Sequence, residues 1–384
     1  MESSQKKLGS LSLMILTNKI RLKPTKKQTS LLFQSAGTAR WVYNWTLGRQ
    51  KENYANGGKF LSDNVLRKEI TQLKKTDDFS WLSNVSNNVA KQAVKDACDS
   101  YKRFFKKQSA FPKFKKKNRV TPSFYNDNMK LKAKPNKTVL IEKVGWVKTS
   151  EQLPCDVKYM NPRIKFDGKY WYLTVGIETS GQEKEMTDTV LGIDVGVKEL
   201  AVVSDGRVYK NINKTKEVKR LNKKLRRLQR QVSRKYEKNK EGVRYVKTSN
   251  ILKIEHQIKL VHRKLTNIRS NHLHQATADI VKTKPCKIVV EDLNISGMMK
   301  NKHLAKSVSN QKLHEFIRQL EYKCERYGIL FVKVDRWFPS SKMCSNCGNV
   351  KKDLKLSDRI YHCDCGHCMD RDLNASINLA NYVV

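Results

Sequence analysis

Two short apolar runs in the second half of the chain each lead into an acidic residue. In Val190–Lys198, apolar residues around a glycine run directly into Asp194, and Cys286–Val290 is followed at once by Glu291. A continuous apolar run of this length predicts a strand that is buried on both faces. A carboxylate in such a strand must be paired, protonated or bound to a metal, because burying an unpaired charge is expensive. For Val190–Lys198 taken alone, a structural Asp that caps a turn is the alternative.

A third acidic segment precedes the last helical pattern of the chain. Asp370 and Asp372 lie just before the apolar-periodic residues Leu373–Tyr382. Two acids on strands and a third at the start of a helix form the kind of carboxylate set that holds two Mg²⁺ ions for phosphodiester cleavage. The residues alone leave the choice between Asp370 and Asp372 open.

The rest of the hydrophobic pattern predicts a mixed α/β chain. Leu11–Leu22 alternates in its second half and indicates a strand, and helical patterns run through Val65–Leu73 and Asn88–Phe105. Val139–Glu178 is the clearest β region. After the Asp194 strand, tight turns between two further short strands fit the opening meander of an RNase H-like sheet.

Charge narrows the class of partner. The 384 residues include 78 Lys and Arg against 36 Asp and Glu, which gives a formal net charge of +42. So large a surplus repels itself unless an acidic partner neutralises it, and nucleic acid is the obvious one. The chain has no apolar span of transmembrane length and no signal-peptide core. We therefore expect a soluble, cytoplasmic, nucleoid-associated protein without a membrane partner.

Two segments concentrate this charge. Tyr101–Arg119 interleaves basic residues with phenylalanines, which suits a loop that tracks a nucleic-acid backbone better than a merely solvated face. Lys214–Lys240 is a basic helical pattern with a heptad-like apolar seam, and residues 254–268 repeat that seam. The two helices are expected to pack as an antiparallel hairpin within residues 214–280. A simple coiled-coil brace is the alternative to a nucleic-acid channel.

Cysteines near the C-terminus have the spacing of a zinc site. Cys344 and Cys347 form one pair, and Cys363 and Cys365 supply the second after a gap of fifteen residues. The second pair is shorter than usual, whereas Cys365 and Cys368 have the ordinary spacing. We choose Cys363 and Cys365 because a glycine follows Cys365 as one follows Cys347, and we keep Cys368 as the substitute ligand.

Four motifs carry a family resemblance. The strand GIDVGVK, the segment VVEDLNI, the run Trp337–Cys344 and the ending DRDLNASINLA resemble the TnpB family of transposon-encoded, OrfB-type proteins, which are relatives of type V CRISPR effectors. Arg21–Thr25 and Ala39–Asn44 resemble the N-terminal part of that family. The resemblance therefore spans nearly the whole chain, and the C-terminal motifs are the more specific ones.

The resemblance implies an α/β multi-domain fold with a RuvC-type RNase H-like nuclease domain and an inserted zinc ribbon. In this assignment Asp194, Glu291 and Asp372 hold Mg²⁺, since the family places its last ligand directly before the terminal helix. The implied domains are a β-rich wedge domain (11–23 and 119–185), a helical recognition lobe (24–118), the nuclease domain (186–336 and 369–384) and the zinc ribbon (337–368).

The implied activity is RNA-guided cleavage of double-stranded DNA. Family members carry a guide RNA transcribed from their own element and cut matching DNA beside a short flanking motif, so that base pairing reads the sequence. Two alternatives stay open: an RNA-guided DNA-binding repressor without cleavage, and a resolvase or transposase on the same RNase H fold. The intact acid set argues against the repressor. The cysteines lie between Glu291 and Asp372, where the TnpB family has its zinc ribbon, and this position argues against the resolvase or transposase. The oligomeric state is left open.

Overall fold

The computed structural model describes residues 13–383 apart from residues 118, 181–184 and 356. Contacts divide these residues into a compact unit of Ile15–Thr179 and a second unit that contains Ser180–Val384. The first two residues of the strand predicted over Leu11–Leu22 lie outside the described residues. No helix of the described part is long and apolar enough to cross a membrane.

The N-terminal unit combines a seven-stranded sheet with three α-helices. The sheet has the strand order β2-β6-β7-β1-β5-β4-β3. Its elements are β1 (Leu13–Lys23), α1 (Lys26–Ala55), α2 (Asp63–Leu73), α3 (Asn87–Phe105), β2 (Ser123–Tyr125), β3 (Lys132–Lys134), β4 (Thr138–Ile141), β5 (Gly145–Thr149), β6 (Tyr159–Phe166) and β7 (Trp171–Ser180). Leu32 of α1 and Val89 of α3 are buried in the same core as the sheet. Most of the two predicted N-terminal domains falls within Ile15–Thr179, and the bounds of both domains stay predictions.

The C-terminal unit is built on a five-stranded sheet with the order β10-β9-β8-β13-β14. Three strands form an antiparallel meander, and two more continue the sheet in parallel with β8. The strands are β8 (Thr187–Val195), β9 (Ala201–Val203), β10 (Val208–Tyr209), β13 (Pro285–Glu291) and β14 (Leu330–Val334). Two short hairpins lie outside this sheet: β11 (Lys240–Glu241) with β12 (Arg244–Tyr245), and β15 (Ile360–His362) with β16 (Cys368–Asp370).

Helices cover both faces of this sheet. The helices of this unit are α4 (Lys216–Lys238), α5 (Ser249–Lys282), α6 (Ile295–Lys300), α7 (Ala305–Gln311), α8 (Leu313–Tyr327) and α9 (Arg371–Ala380). Leu191 and Ile193 of β8 share a core with α5 and α8. Val289 on β13, by contrast, packs with Leu379 of α9, so α9 lies on the other face. Burial on both faces explains why the strand sequences are apolar at successive positions instead of alternating.

The two basic helices pack antiparallel. Leu221 and Leu228 of α4 share a core with Val261 and Leu265 of α5, which are the seam positions that the heptad-like spacing predicts. Glu217 near the start of α4 pairs with Lys264 of α5 at 2.7 Å. At the other end, the Tyr236 hydroxyl donates to Glu255 at 2.6 Å. Both contacts are possible only if the helices run in opposite directions. The helix begins at Lys216, two residues later than the basic pattern.

Candidate active site and metal centre

Asp194 and Glu291 lie side by side at the carboxyl ends of two neighbouring parallel strands. Val290 of β13 is paired with Ile193 of β8, so the next position in the same register places Glu291 beside Asp194. Adjacent strands are separated by about 4.8 Å, and residues in register project from the same face of the sheet. The fold therefore brings the first two predicted acids together.

Asp372 reaches the same place from α9. The helix crosses β8 at Gly192, where a Cβ would overlap the carbonyl oxygen of Ser376 and the amide nitrogen of Ala380. Four helical residues span about 6 Å and two strand residues about 6.6 Å. The charge of Asp372 also acts on Asp194, so α9 runs back along β8 from this contact. Asp372, four residues before Ser376, is therefore about level with Asp194, two residues after Gly192.

The electrostatics of Asp194 reflect this convergence. Burial, followed by the negative charges of Asp372 and Glu291, raises the pKa of Asp194 to about 7, while Arg371 opposes them. Burial, followed by the charge of Asp292, also raises the pKa of Glu291. A divalent cation would stabilise a buried carboxylate that has other carboxylates nearby, so this donor set fits Mg²⁺.

Asp370 has a different local role. Its carboxylate caps α9 and accepts hydrogen bonds from the backbone N–H groups of Asp372 at 2.9 Å and Leu373 at 3.1 Å. Those bonds occupy one oxygen and orient the group toward the helix axis. Asp372 stands inside the first turn, and its side chain is largely buried next to Arg371. The arrangement favours Asp372 over Asp370 as the third metal ligand.

The four predicted cysteines meet in a second cluster. The sulfur atoms of Cys344, Cys347, Cys363 and Cys365 all lie within 4.8 Å of one another. Among the described residues, this is the group of three or more His, Cys, Asp or Glu side chains whose donor atoms lie that close together. The Sγ atoms of Cys344 and Cys365 are 3.7 Å apart, and those of Cys347 and Cys363 are 3.5 Å apart. Four thiolates around a tetrahedral Zn²⁺ with Zn–S bonds of about 2.3 Å would be about 3.8 Å apart.

Local backbone geometry prepares this cysteine cluster. The backbone at His367 lowers the pKa of the Cys365 thiol through a hydrogen bond, which favours the thiolate that binds metal. Gly348 and Gly366 have φ angles of +76° and +83°, so the glycine after each pair makes the turn that aims its sulfurs inward. Cys368 is exposed at the start of β16 and is not part of the cluster.

Two buried asparagines of α9 connect the cysteine segment to the acids, and the sequence analysis missed them. The Asn374 amide donates to the carbonyl oxygen of Met343 at 2.7 Å, and its side-chain oxygen accepts from the backbone N–H of Ser345 at 3.0 Å. Asn378 donates to the carbonyl oxygens of Ser340 and Met343 at 2.8 and 2.6 Å. A sequence signal existed: residues 373–382 contain no charged side chain, although 30% of the chain is charged.

The two basic segments present different surfaces. In the N-terminal unit, Phe104 and Phe111 pack edge to face at 5.2 Å, whereas Phe105, Phe111 and Phe114 are more than half exposed. In the C-terminal unit, a groove on α4 of about 1030 Å³ is lined mainly by basic side chains, which are Lys223, Lys224, Arg226, Arg227, Arg230, Arg234, Lys235 and Lys238. Such surfaces match phosphate backbones.

Three family models match parts of the chain. The model described as probable transposase, OrfB_IS605, covers residues 169–302. A helix-turn-helix domain of OrfB_IS605 covers residues 14–59, and a Cas12f1-like TNB domain covers residues 314–379. The last match contains all four clustered cysteines together with Asp372. These models define a class of transposon-encoded, OrfB-type proteins.

Comparison with whole proteins narrows that class. A "Putative RNA-guided DNA endonuclease" of Streptomyces pristinaespiralis is 30% identical over 94% of this chain and 87% of its own length. The "Putative RNA-guided DNA endonuclease InsQ" of Escherichia coli K12 is 30% identical over 94% and 90%. A "TnpB-like protein L770" of Acanthamoeba polyphaga mimivirus is 23% identical over 98% and 75%. The chain belongs to the TnpB family.

A solved structure supports the fold. The protein in "Cryo-EM structure of the Cas12f1-sgRNA-target DNA complex" aligns with a TM-score of 0.59 over 96% of this chain and 99% of that chain. The sequence identity is 15%, so the likeness concerns the fold. The mixed α/β architecture expected from the sequence is therefore confirmed.

Proposed function

We propose that the protein is an RNA-guided DNA endonuclease encoded by a transposable element, which cuts double-stranded DNA beside a short flanking motif. The observation that carries the proposal is the convergence of Asp194, Glu291 and Asp372 on one edge of the sheet. In support, burial together with the charges of Asp372 on α9 and Glu291 on β13 raises the pKa of Asp194 on β8 to about 7. The names of the two relatives that are 30% identical support the same activity.

Asp194, Glu291 and Asp372 would hold two Mg²⁺ ions. Bound Mg²⁺ supplies an activated water and stabilises the leaving oxygen of the phosphodiester. The chain itself fixes the separation of the carboxylates. The β8–β13 register sets the distance between Asp194 and Glu291, and the packing of α9 on Gly192 positions Asp372. Cys344, Cys347, Cys363 and Cys365 would hold one structural Zn²⁺.

In this proposal the sheet with the order β10-β9-β8-β13-β14 is a RuvC-type RNase H-like domain. An antiparallel meander followed by parallel strands, with acids at the strand ends, supports that assignment. The nuclease domain comprises residues 186–336 and 369–384, and residues 337–368 form the zinc ribbon. Residues 24–118 act as the recognition lobe, and residues 11–23 and 119–185 as the wedge domain.

The proposed partners are a guide RNA from the protein's own element and a target duplex. A net charge of +42 and the separate basic surfaces of the two units support more than one bound nucleic acid. Base pairing with the guide would select the sequence, while the protein would read the flanking motif and the shape of the duplex.

The test is to purify the protein from its host, sequence the RNA that it carries and change the 3′ segment of that RNA. The cut site in a plasmid should follow the new sequence, and cleavage should need Mg²⁺. Asp194→Ala should bind the same target and leave it intact, which separates binding from catalysis. Cleavage that ignores the RNA would favour the resolvase-like alternative, and target binding by the wild type without any cut would favour the repressor.

A further inference from the structure

A cavity in the C-terminal unit lies between the end of α5 and the second half of α8. Its volume is about 510 Å³, and its lining includes Met186, just before β8, and Ile329, just before β14. Asp194 stands near the other end of β8, eight residues after Met186. Eight strand residues span about 26 Å. The cavity is therefore at the opposite edge of the sheet from the acids, and it is separate from the candidate metal site.

Four cationic side chains line this cavity, and none of its described lining residues is acidic; the four are Lys282, Lys284, Lys323 and Arg326. None of them forms an ion pair with a described residue. Lys323 Nζ donates to uncharged partners, the carbonyl oxygen of His274 at 3.0 Å and Oγ1 of Thr277 at 2.7 Å. Burial lowers the pKa of Lys323 to about 8. Because a half-buried ammonium without a carboxylate is poorly compensated, an anion in the cavity would stabilise it.

The rest of the lining offers apolar and aromatic surface. Ile329 is buried in the core of this unit, and Tyr327 packs on that core with the Arg326 guanidinium 5.5 Å from its ring centroid. Tyr322 supplies a second ring, and Arg318, which lies over that ring at 5.5 Å, does not line the cavity. A cavity of this size with apolar walls and a few charged groups is typical of a small-ligand site. The groove on α4, by contrast, is lined mainly by basic side chains.

The turn after α5 fixes the position of Lys284. Its backbone φ angle is +53°, in the left-handed region that glycine adopts at lower cost. The Lys284 carbonyl accepts hydrogen bonds from the N–H and the hydroxyl of Thr187 at 2.9 and 3.1 Å, so the turn is tied to the first residue of β8. Lys284→Gly would therefore remove this side chain and its charge while preserving the turn.

We propose that this cavity binds a nucleotide, with the phosphate at the cationic side chains and the base against Tyr322. Lysine and arginine form strong charge-assisted hydrogen bonds with phosphate oxygens, and an aromatic ring accepts the flat face of any base. A free nucleotide and one nucleotide of a bound strand share this chemistry. The site goes beyond the proposed function and does not depend on it, because the cavity lies at the far edge of the sheet from the acids.

Calorimetric titration with AMP tests the site on the full chain, after removal of copurifying nucleic acid and at a salt concentration that screens exposed charges. We expect saturable binding of about one AMP per chain. The double variant Lys282→Ala/Lys284→Gly should weaken the binding of both AMP and inorganic phosphate about tenfold, because charge-assisted hydrogen bonds are lost. Tyr322→Leu should weaken AMP about tenfold and leave inorganic phosphate unchanged, because only the base stacks. The double variant Lys300→Ala/Lys302→Ala is the matched control and should bind like wild type, since it removes the same charge from exposed positions outside the cavity.

The absence of saturable AMP binding would overturn the proposal. So would an equal loss of affinity in the two double variants, because that result indicates attraction by net charge alone. Unchanged AMP affinity in Tyr322→Leu would show that the cavity holds phosphate without a base, and the nucleotide assignment would be wrong.

Repeating the titration with the copurifying RNA still bound identifies the source of the nucleotide. AMP binding that requires removal of the RNA supports a nucleotide of the bound strand, and AMP binding with the RNA in place supports a free nucleotide. A protein that carries no RNA would contradict the proposed function, while the AMP titration would still decide the fate of this site. The two proposals can therefore fail separately.

Discussion

Gly192 of β8 and Ser376 of α9 meet backbone to backbone. A Cβ on Gly192 would overlap the Ser376 carbonyl oxygen, and neither partner is a flexible side-chain end. The close approach of helix and strand thus depends on the absence of one side chain. It also places Asp372 level with Asp194, so a packing contact sets the geometry of the candidate metal site.

Gly192→Ala should therefore damage both stability and metal binding. Overpacking of this kind typically lowers the free energy of unfolding by about 1–3 kcal/mol, and the displaced helix should carry Asp372 away from Asp194. Denaturant unfolding and Mg²⁺ titration are the measurements. Gly48→Ala serves as the control, because a Cβ there has no atom within 4 Å and alanine favours a helix. If Gly192→Ala left the Mg²⁺ affinity unchanged, the packing of α9 on Gly192 would not be what positions Asp372.

The strand around Gly192 illustrates how far the sequence leads. Its apolar residues predict burial on both faces, and Leu191 and Val190 do pack in different cores. Asp194 near the end of the strand is equally evident from the sequence. The sequence does not show which element covers which face of the strand. The packing of α9 on β8 depends on contacts between residues that are far apart in sequence.

Asn374 should act as the link between the cysteine cluster and the acids. Asn374→Ala leaves the Ser345 N–H without its partner and removes one of the two hydrogen bonds to the Met343 carbonyl. An unpaired buried group typically costs about 1–3 kcal/mol. We expect the zinc content to stay near one ion per chain while the Mg²⁺ affinity falls, because α9 loses an anchor.

Asn381→Ala is the matched control for that experiment, since Asn381 is the exposed residue that ends the same helix. Zinc analysis and Mg²⁺ titration on both variants give the comparison. Were Asn374→Ala to bind Mg²⁺ as tightly as Asn381→Ala, the Asn374 hydrogen bonds would have no part in positioning Asp372.

The zinc site makes its own prediction. Elemental analysis should find about one Zn²⁺ per chain, as four thiolates in this geometry bind. Cys344→Ser should lose the metal and lower thermal stability together with cleavage, because the binding energy of a structural zinc is part of the folding energy. Cys368→Ser should keep the zinc and behave like wild type. A fully folded protein that binds no zinc would refute the site.

The two acids at the start of α9 should respond differently to the same substitution. Asp372→Asn removes a carboxylate from the set around Asp194, so cleavage should fall by orders of magnitude. Asp370→Asn should be nearly silent, because asparagine caps a helix as well as aspartate does. Steady-state cleavage rates decide. If Asp370→Asn abolishes activity and Asp372→Asn spares it, the third ligand has been assigned to the wrong residue.

Local pattern was enough to select most of the candidate residues, and it failed where a polar residue has a structural role. Acids at strand tips stand out because a buried carboxylate is costly without a partner or a metal ion. Closely spaced cysteines stand out because their spacing is typical of zinc sites. Asn374 and Asn378 do not stand out, because asparagine is common on exposed helix surfaces and its burial depends on backbone groups of a distant segment.

Protonation of Asp194 gives a pH-dependent prediction. Its pKa is about 7 in the metal-free fold, against about 3.9 in an unfolded chain. Between these values the folded protein binds more protons than the unfolded one, so this group's contribution lowers stability as pH rises from about 4 to about 7 and is constant above that. The slope in that window is about 1.4 kcal/mol per pH unit for one fully buried group.

Asp194→Asn removes this ionisation, so without Mg²⁺ the variant should be more stable than wild type at pH 8, and its advantage should shrink as pH falls toward 5. Saturating Mg²⁺ should stabilise the wild type at pH 8, because the ions bind the folded carboxylates, and should stabilise the variant far less. Chemical denaturation at the two pH values, with and without Mg²⁺, measures all four differences. A wild type that is the more stable protein at pH 8 without Mg²⁺ would show that burial and the neighbouring acids do not raise the pKa of Asp194, and the convergence of Asp194, Glu291 and Asp372 would have to be abandoned.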